Sequence, residues 1–148
     1  MNKKSSEDII KDLVSKSRKA QFVFEKYNQQ EVDEVITAVA WSLCKPLNNK
    51  KISDLAVDAT GLGNSNHKIL KNKRKTLGLL RDLKNIKTVG VINEDKKKGI
   101  IEIAKPVGVV AAVTPSTNPA ATPINNIINA LKGRNSIIIS PSPAGAEV

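Results

Sequence analysis

The sequence predicts an α/β protein in which amino-terminal helices are followed by a β-hairpin and then by a strand–helix–strand unit. Two changes in the spacing of apolar residues indicate this order. Over roughly the first 87 residues, apolar side chains recur at three- and four-residue steps, the spacing of one helix face. From Thr88 the spacing becomes two, as in a half-buried strand, and uninterrupted apolar runs then flank one further helical stretch.

The first part of the chain is predicted to hold four helices, over residues 5–24, 30–44, 52–60 and 64–83. Ser5 or Ser6 is the expected N-cap of the first helix, and Pro46 is expected to end the second. The third stops at Gly-Leu-Gly, and the fourth carries the run KNKRK on its outer face. The aromatic residues fall on positions expected to face the core: Phe22, Phe24, Tyr27 and Trp41.

The second part begins with a hairpin, in which TVGVIN and GIIEIA are joined by the polar EDKKKG. The run VGVVAAV then predicts a strand covered on both faces. A helical stripe of isoleucines and Leu131 follows, closed by Gly133 in a C′ position, and NSIIIS predicts a second buried strand. Strand, helix and strand make a βαβ unit with two parallel strands. One such unit is only part of a doubly wound sheet.

Composition narrows the class of protein. A chain of 148 residues has the length of one domain, and its single cysteine, Cys44, excludes an internal disulfide and indicates a reducing, cytoplasmic compartment. No apolar run approaches the ~20 residues needed to cross a bilayer, so no membrane association is expected. The net charge of +10 raises the possibility of a nucleic-acid partner. Because the lysine runs lack interleaved aromatics, we favour a solvated basic surface and no nucleic acid.

Most isolated reactive residue types have a plain structural interpretation. Cys44 lies near a helix C-terminus, where the helix dipole disfavours a thiolate, so a buried structural cysteine is expected. His67, the one histidine, sits in a polar, basic segment and is expected at the surface. No metal site and no Ser-His-Asp set can be assembled from the sequence.

The turn TPSTNPAATP, residues 114–123, is the strongest candidate for a site. It follows a buried parallel strand at its carboxyl end, where open α/β sheets bind ligands, and Pro115 and Pro119 restrict its backbone. Ser116, Thr117 and Asn118 offer polar groups beside a helix start, which suits a developing oxyanion or a phosphate. An equally supported interpretation is that Asn118 or Thr122 is only an N-cap.

Residues 105–143, KPVGVVAAVTPSTNPAATPINNIINALKGRNSIIISPSP, resemble the start of the coenzyme-binding domain of the aldehyde dehydrogenase superfamily. The P-x-T-N-P form and LKGRN are similar to the CoA-acylating branch, as is the upstream segment DATGLGNSNHKILKNK. Among acylating types, PSTNPAATP with SPSP looks most like the sulfoacetaldehyde dehydrogenases. The resemblance implies oxidation of a small aldehyde to its acyl-CoA, with NAD or NADP as coenzyme, coenzyme A as co-substrate and a cysteine nucleophile.

The resemblance also implies roles for residues around the turn. Pro115 matches the motif proline, and Thr117 and Asn118 are rival candidates for holding the oxyanion. Coenzyme contacts are expected from Thr114, Pro115 and Ser116, and from the strand end Ser140, Pro141 and Ser142. Ser140 stands where the family has a lysine that contacts the adenine ribose, so the choice between NAD and NADP is open.

The resemblance further implies a division into residues 1–87, a helical segment of the coenzyme-binding domain, residues 88–104, an oligomerisation hairpin, and residues 105–148, the first βαβ unit of the NAD(P)-binding domain. In the family the nucleophilic cysteine follows much later, so we expect an amino-terminal part of the enzyme, inactive alone and homo-oligomeric when full length. Two alternatives are a non-catalytic assembly module using the hairpin and a basic polyanion-binding module.

Overall fold

The computed structural model describes residues 5–148. In chain order the elements are α1 (Ser6–Phe24), α2 (Gln29–Cys44), α3 (Pro46–Thr60), α4 (Ser65–Leu83), β1 (Gly90–Asp95), β2 (Ile100–Ala104), β3 (Val109–Thr114), α5 (Ala121–Lys132), β4 (Ser136–Pro141) and a 3-10 turn (Pro143–Gly145). The predicted order of helices, hairpin and βαβ unit is confirmed.

Side-chain caps fix where three of the helices begin. The Ser5 side chain accepts a hydrogen bond from the Asp8 amide at 3.1 Å, which selects Ser5 over Ser6 as the α1 N-cap. Asn28 and Glu31 form a reciprocal capping box at the start of α2. Asn64 caps α4 by accepting from the His67 amide at 2.9 Å. The polar residues of the connections therefore set the helix boundaries.

The third helix is longer than predicted, because it begins at Pro46 rather than at residue 52. Proline both ends α2 and opens α3, since the first helical position needs no amide hydrogen and the proline ring already holds a helical φ. The helix ends at Gly61, whose φ of 66° is left-handed and whose amide donates to the Val57 carbonyl at 2.8 Å.

The apolar core lies between α2, α4 and α5. Ile36, Ala40 and Ile128 form its buried centre, with partly buried leucines of α4 and α5 around them. The predicted core role of the aromatic residues is wrong for Phe22 and Trp41, which are 64% and 57% exposed. Small and branched aliphatic side chains fill the narrow space between the helices. Helix α1 has no buried residue, and the isoleucines of its predicted stripe are exposed.

The hairpin β1–β2 is an antiparallel pair separate from the second sheet. Its first strand starts at Gly90, two residues later than predicted, because Thr88 is held elsewhere by side-chain hydrogen bonds. The register shifts between Val91 and Asn93, which marks a β-bulge. Asp95 closes the turn by accepting from the Lys97 and Lys98 amides at 3.0 and 3.1 Å.

The strands β3 and β4 pair in parallel around α5, with Val109 opposite Ser136 and Thr114 opposite Pro141. This confirms the βαβ unit. The prediction that β3 is covered on both faces is wrong, since Val113 is 85% exposed. Helix α5 contacts both strands on one side, but α1 contacts them without covering the carboxyl end of β3.

The segment Lys132–Asn135 at the end of α5 contacts most elements of the fold, and we call it the Lys132–Asn135 junction. The Asn135 side-chain oxygen accepts from the Val107 and Gly108 amides at 2.7 and 3.0 Å, which fixes the entry to β3. Its amide nitrogen donates to the Ala130 carbonyl at 3.2 Å. The Arg134 guanidinium donates to the Glu25 carbonyl at 2.6 Å and to the Ala104 carbonyl at 3.3 Å.

Gly133 serves this junction through its size rather than through the conformation predicted for it. Its φ is −88°, so it is not left-handed, and the positive φ of 57° falls on Arg134 instead. A Cβ atom at Gly133 would meet the Asn135 side-chain nitrogen at 2.8 Å. Glycine is therefore required for the close approach of Asn135 to the end of α5.

Lys132 makes a buried ion pair across the helices. Its ammonium lies 2.5 Å from an Asp33 carboxylate oxygen, with the lysine side chain 4% and the aspartate side chain 43% exposed. Gln29 donates to the same Asp33 oxygen at 3.1 Å and accepts from the Thr88 amide at 2.7 Å. The Thr88 hydroxyl in turn donates to the Lys132 carbonyl at 2.6 Å. This network joins α2, α5 and the connection that leads into the hairpin.

We predict that Asp33→Ala lowers the free energy of unfolding by about 2 kcal/mol, because it leaves the buried Lys132 ammonium unpaired. Because the Asp33 carboxylate is half-exposed, we expect a smaller loss of stability than for a fully buried ion pair. Glu34→Ala is the matched control, since Glu34 is the exposed acidic neighbour on the same helix. Urea unfolding followed by circular dichroism measures both variants. Equal losses in the two would contradict a specific role for the pair.

We also predict that Asn135→Ala costs about 3 kcal/mol, since the amides of Val107 and Gly108 lose their acceptor. Asn129→Ala, an exposed asparagine of α5, is the control and is expected to change stability by less than about 0.5 kcal/mol. Hydrogen exchange at the Val107 and Gly108 amides gives a local readout. Unchanged protection there in Asn135→Ala would show that the side chain does not hold the strand.

Candidate functional site

The carboxyl ends of β3 and β4 bring the predicted turn and the predicted strand end together. Thr114, the last residue of β3, is 3% exposed, and its carbonyl accepts from the Ser142 amide at 3.1 Å. This bond continues the parallel pairing one step beyond Pro141. The loop after β3 therefore runs beside the 3-10 turn after β4.

Close contact between the two connections depends on Gly145. A Cβ atom there would lie 3.0 Å from the Pro119 Cβ and 3.2 Å from the Ser142 hydroxyl oxygen. Pro119 and Gly145 are both buried. We call the loop between β3 and α5, residues 115–120, the motif loop. Any larger residue at position 145 would push the motif loop away from the end of β4, so packing holds this loop in place.

Where the motif loop meets the 3-10 turn, two polar atoms are buried without a hydrogen-bond partner among the described residues. They are the side-chain oxygen of Asn118 and the hydroxyl of Ser142. Buried polar atoms are nearly always paired, and an unpaired one lowers stability. Both atoms lie where the two strand-end connections pack together, next to the residues predicted to contact the coenzyme.

The start of α5 has no side-chain cap. Its N-cap residue is Ala120, so the interpretation of Asn118 or Thr122 as a simple N-cap is wrong. Asn118 takes part through its backbone, whose carbonyl accepts from the Thr122 amide at 3.2 Å. The Asn118 side chain is left free for another role, next to a helix start whose dipole favours negative charge.

Thr117 and Asn118 lie in different surroundings. Asn118 is half-buried over the strand ends, whereas Thr117 is exposed and turned toward the α3–α4 connection. There it lines a cavity of about 280 Å³ whose other walls are Leu62, Gly63, Asn64, His67, Lys68 and Lys71. Which of the two would hold an oxyanion stays a prediction.

The remaining predicted coenzyme residues line the same edge. Pro115 is exposed and Ser116 half-buried on the motif loop. Ser140 and Pro141 are exposed at the end of β4, with Ser140 opposite Val113 in the parallel register. The structure thus brings Thr114, Ser116, Asn118 and Ser142 to one edge, and leaves Thr117 facing α4.

Lys68 is a residue that the sequence analysis missed. It is 5% exposed, although the lysines of α4 were expected on its outer face. Desolvation by burial, with a smaller contribution from the Lys71 charge, lowers the pKa of the Lys68 ammonium. The signal was present in the helix period, since Lys68, Asn72 and Thr76 are spaced four apart and all three are buried.

Cys44 and His67 lie as predicted. Cys44 is buried, and desolvation raises the pKa of its thiol despite an opposing effect of Lys73. His67 is exposed, with its Nδ1 2.9 Å from the Asn64 side-chain nitrogen. Within residues 5–148, no three His, Cys, Asp or Glu side chains are grouped so as to hold a metal ion. None of the helices described is long and apolar enough to span a membrane.

Comparison with known proteins agrees with this geometry. The family model "Aldehyde dehydrogenase family" matches residues 2–147. The acylating sulfoacetaldehyde dehydrogenase of Cupriavidus necator is 54% identical over 140 residues, covering 95% of this chain and 28% of the relative. The acetylating succinate-semialdehyde dehydrogenase of Clostridium kluyveri is 38% identical over 144 residues, covering 97% of this chain and 31% of that protein.

Among solved structures, an acetylating aldehyde dehydrogenase from Geobacillus thermoglucosidasius superposes with a TM-score of 0.90 at 35% identity, over 95% of this chain and 30% of that one. The chain spans less than a third of the length of these relatives. A family model that matches nearly every residue, and a fold that superposes on a solved member, lead to one conclusion: the chain belongs to the aldehyde dehydrogenase family.

Proposed function

We propose that this chain supplies the first βαβ unit and the motif loop of an NAD(P)-dependent, CoA-acylating aldehyde dehydrogenase. The observation that carries the proposal is the meeting of the loop after β3 with the turn after β4 at the carboxyl ends of two parallel strands, joined by the bond from the Ser142 amide to the Thr114 carbonyl. The acylating and acetylating names of the relatives support the reaction type. Sulfoacetaldehyde, named for the relative with 54% identity, is the aldehyde we favour.

The residues at the strand ends suit a bound nicotinamide coenzyme, which when present supplies the hydride acceptor. The exposed Ser140 hydroxyl can bond a ribose hydroxyl or a phosphate oxygen, and the uncapped start of α5 favours negative charge. The proposed coenzyme site is bordered on the β3 side by Thr114, Pro115 and Ser116, and its exposed rim on the β4 side is formed by Ser140 and Pro141. Because Ser140 places no cation at the rim, the coenzyme's ribose would be held by hydroxyl contacts alone.

The motif loop would act on the aldehyde oxygen. As a thiolate adds to an aldehyde, the carbonyl oxygen becomes negative, and a positioned donor stabilises that charge. The Asn118 amide and the Thr117 hydroxyl are the two donors that we propose for this role, and the bond of Ser142 to Thr114 together with the Pro119–Gly145 contact keeps the loop rigid. Such rigidity spares the donor from reorganising during the reaction.

Cys44 does not fit the role of nucleophile. It is buried at the end of α2, and its raised pKa keeps the thiol protonated at neutral pH. Since the 148-residue sequence has no other cysteine, we propose that this chain does not oxidise aldehydes by itself.

We further propose that the hairpin joins subunits of a cytoplasmic homo-oligomer in the whole enzyme. Ile101 and Ile103 of β2 are 57% and 56% exposed, and Val91 of β1 is 52% exposed. A two-stranded hairpin with apolar side chains in solvent gains stability from a partner surface.

We predict that NAD⁺ shifts the backbone NMR resonances of residues 114–118 and 140–142 in this chain. Ser140→Lys is expected to tighten NADP⁺ binding about fivefold, because it adds a cation at the exposed rim. Ser15→Lys on α1 carries the same added charge and controls for it. Shifts confined to the lysine runs, and abolished by salt, would instead favour the polyanion-binding alternative.

We predict that the purified chain reduces no NAD⁺ when supplied with a small aldehyde and coenzyme A, and that Cys44→Ser leaves this result and the NMR shifts unchanged. Absorbance at the NADH band measures the reaction. Coenzyme reduction by the chain that disappears in Cys44→Ser would overturn our view of Cys44.

A further inference from the structure

The cavity between the α3–α4 connection and the motif loop is bordered by basic side chains. Its volume is about 280 Å³, and Lys68, Lys71 and His67 line one side, with Thr117 on the other. The connection bends sharply there, as Gly61 and Gly63 have φ angles of 66° and 74°. Lys68 passes beside this bend, since a Cβ at Gly63 would lie 3.9 Å from the lysine Cε.

No hydrogen bond or ion pair within the described residues involves the Lys68 ammonium. Its nitrogen is not among the buried polar atoms that lack a partner, so the side chain, 5% exposed as a whole, directs its charged end into the cavity. On α3, the Asp54 carboxylate is paired with Lys50 at 2.7 Å and accepts a hydrogen bond from the Ser65 hydroxyl. Lys71 adds a second positive charge and lowers the pKa of Lys68 further. A partly desolvated cation with a second cation beside it is stabilised when an anion binds.

Lys132 shows the contrast within the same molecule. That lysine is equally buried, and it has Asp33 at 2.5 Å together with the surrounding Gln29 and Thr88 network. The fold thus pairs one buried lysine internally and leaves the other facing a cavity. The unpaired one lies where the motif loop presents a hydroxyl.

We propose that Lys68, supported by Lys71, the His67 ring and the Thr117 hydroxyl, binds an oxyanion group of a ligand whose other end reaches the motif loop. The group is a sulfonate or a phosphate, because both offer several oxygens to converging donors. Its identity rests on the proposed function. A sulfonate would be the charged end of the aldehyde, and a phosphate would belong to a coenzyme. On this view Lys68 distinguishes charged from uncharged aldehydes.

The test uses the purified chain and two probes, ethanesulfonate and inorganic phosphate, at constant ionic strength. NMR follows the Lys68 side chain and the amides of residues 62–71 and 117. We expect either probe to shift these signals and to raise the pKa of Lys68, because an anion compensates its charge. Lys68→Met is expected to weaken binding about tenfold or more, with the matched exposed Lys75→Met unchanged.

The same variant gives an independent readout. Without a ligand, the lowered pKa of Lys68 means that the unfolded chain binds the proton more tightly, so stability rises with pH above the folded-state pKa. Lys68→Met is therefore expected to raise the melting temperature at neutral pH and to flatten this alkaline rise. Should Lys68→Met fail to fold, Lys71→Met tests the binding.

The relative binding of the two probes, and its loss in the two variants, decide between the possible assignments of the site. Stronger binding of ethanesulfonate assigns the site to the substrate, and stronger binding of phosphate assigns it to a coenzyme. Shifts that are absent, or that survive both Lys68→Met and Lys71→Met, overturn the site. NAD⁺ binding at residues 140–142 is measured apart from these shifts, so the proposed function and the anion site can fail separately.

Discussion

The hydrogen bonds of Lys132, Arg134 and Asn135 are the constraint on which the rest of the fold depends. Arg134 holds the end of α1 and the end of β2, Asn135 holds the entry to β3, and Lys132 holds α2. Only Gly133 allows Asn135 to approach the end of α5. Because β3 enters at a fixed point, the register with β4 is fixed, and the strand ends meet where the motif loop begins.

Polar groups buried in this molecule fall into two classes. Between α3 and α4, Asn72 donates to Asn49 and Ser53 at 3.0 and 3.2 Å, and Asn49 donates to the Ile69 carbonyl at 3.0 Å. That cluster is satisfied and makes the helix pair specific. The buried polar atoms that lack a partner in the described residues lie at both ends of β4: Arg134 Nε and Ser136 Oγ where the strand begins, and Asn118 Oδ1 and Ser142 Oγ beyond its carboxyl end. The polar cluster between α3 and α4 is therefore internally satisfied, whereas the polar groups around β4 are only partly so.

Periodicity and capping residues predicted the order of the elements, because local spacing determines which face of a helix or strand can be buried. They failed where tertiary contacts decide. The spacing of apolar residues predicts that α3 begins at Ile52, but the helix begins at Pro46. Thr88 was predicted in the hairpin, but its hydrogen bonds to Gln29 and Lys132 keep it outside the strand. The position of the motif loop was predicted from its two prolines, Pro115 and Pro119, and from the apolar strand that precedes it. The burial of Lys68 follows from its four-residue spacing to Asn72 and Thr76, a stripe of polar residues that an analysis of apolar spacing does not detect.

The contacts of α1 have a consequence for the order of folding. This helix is joined to the βαβ unit through the Gln21 and Glu25 contacts with Arg134, which are more than 100 residues away in sequence. Such long-range contacts form late, after the loop between them has closed. While the ribosome is still making β4, α1 lacks the Arg134 and β4 contacts that hold it in the folded chain. Helix α1 therefore reaches its final position only after residues more than 100 positions further along the chain have been made.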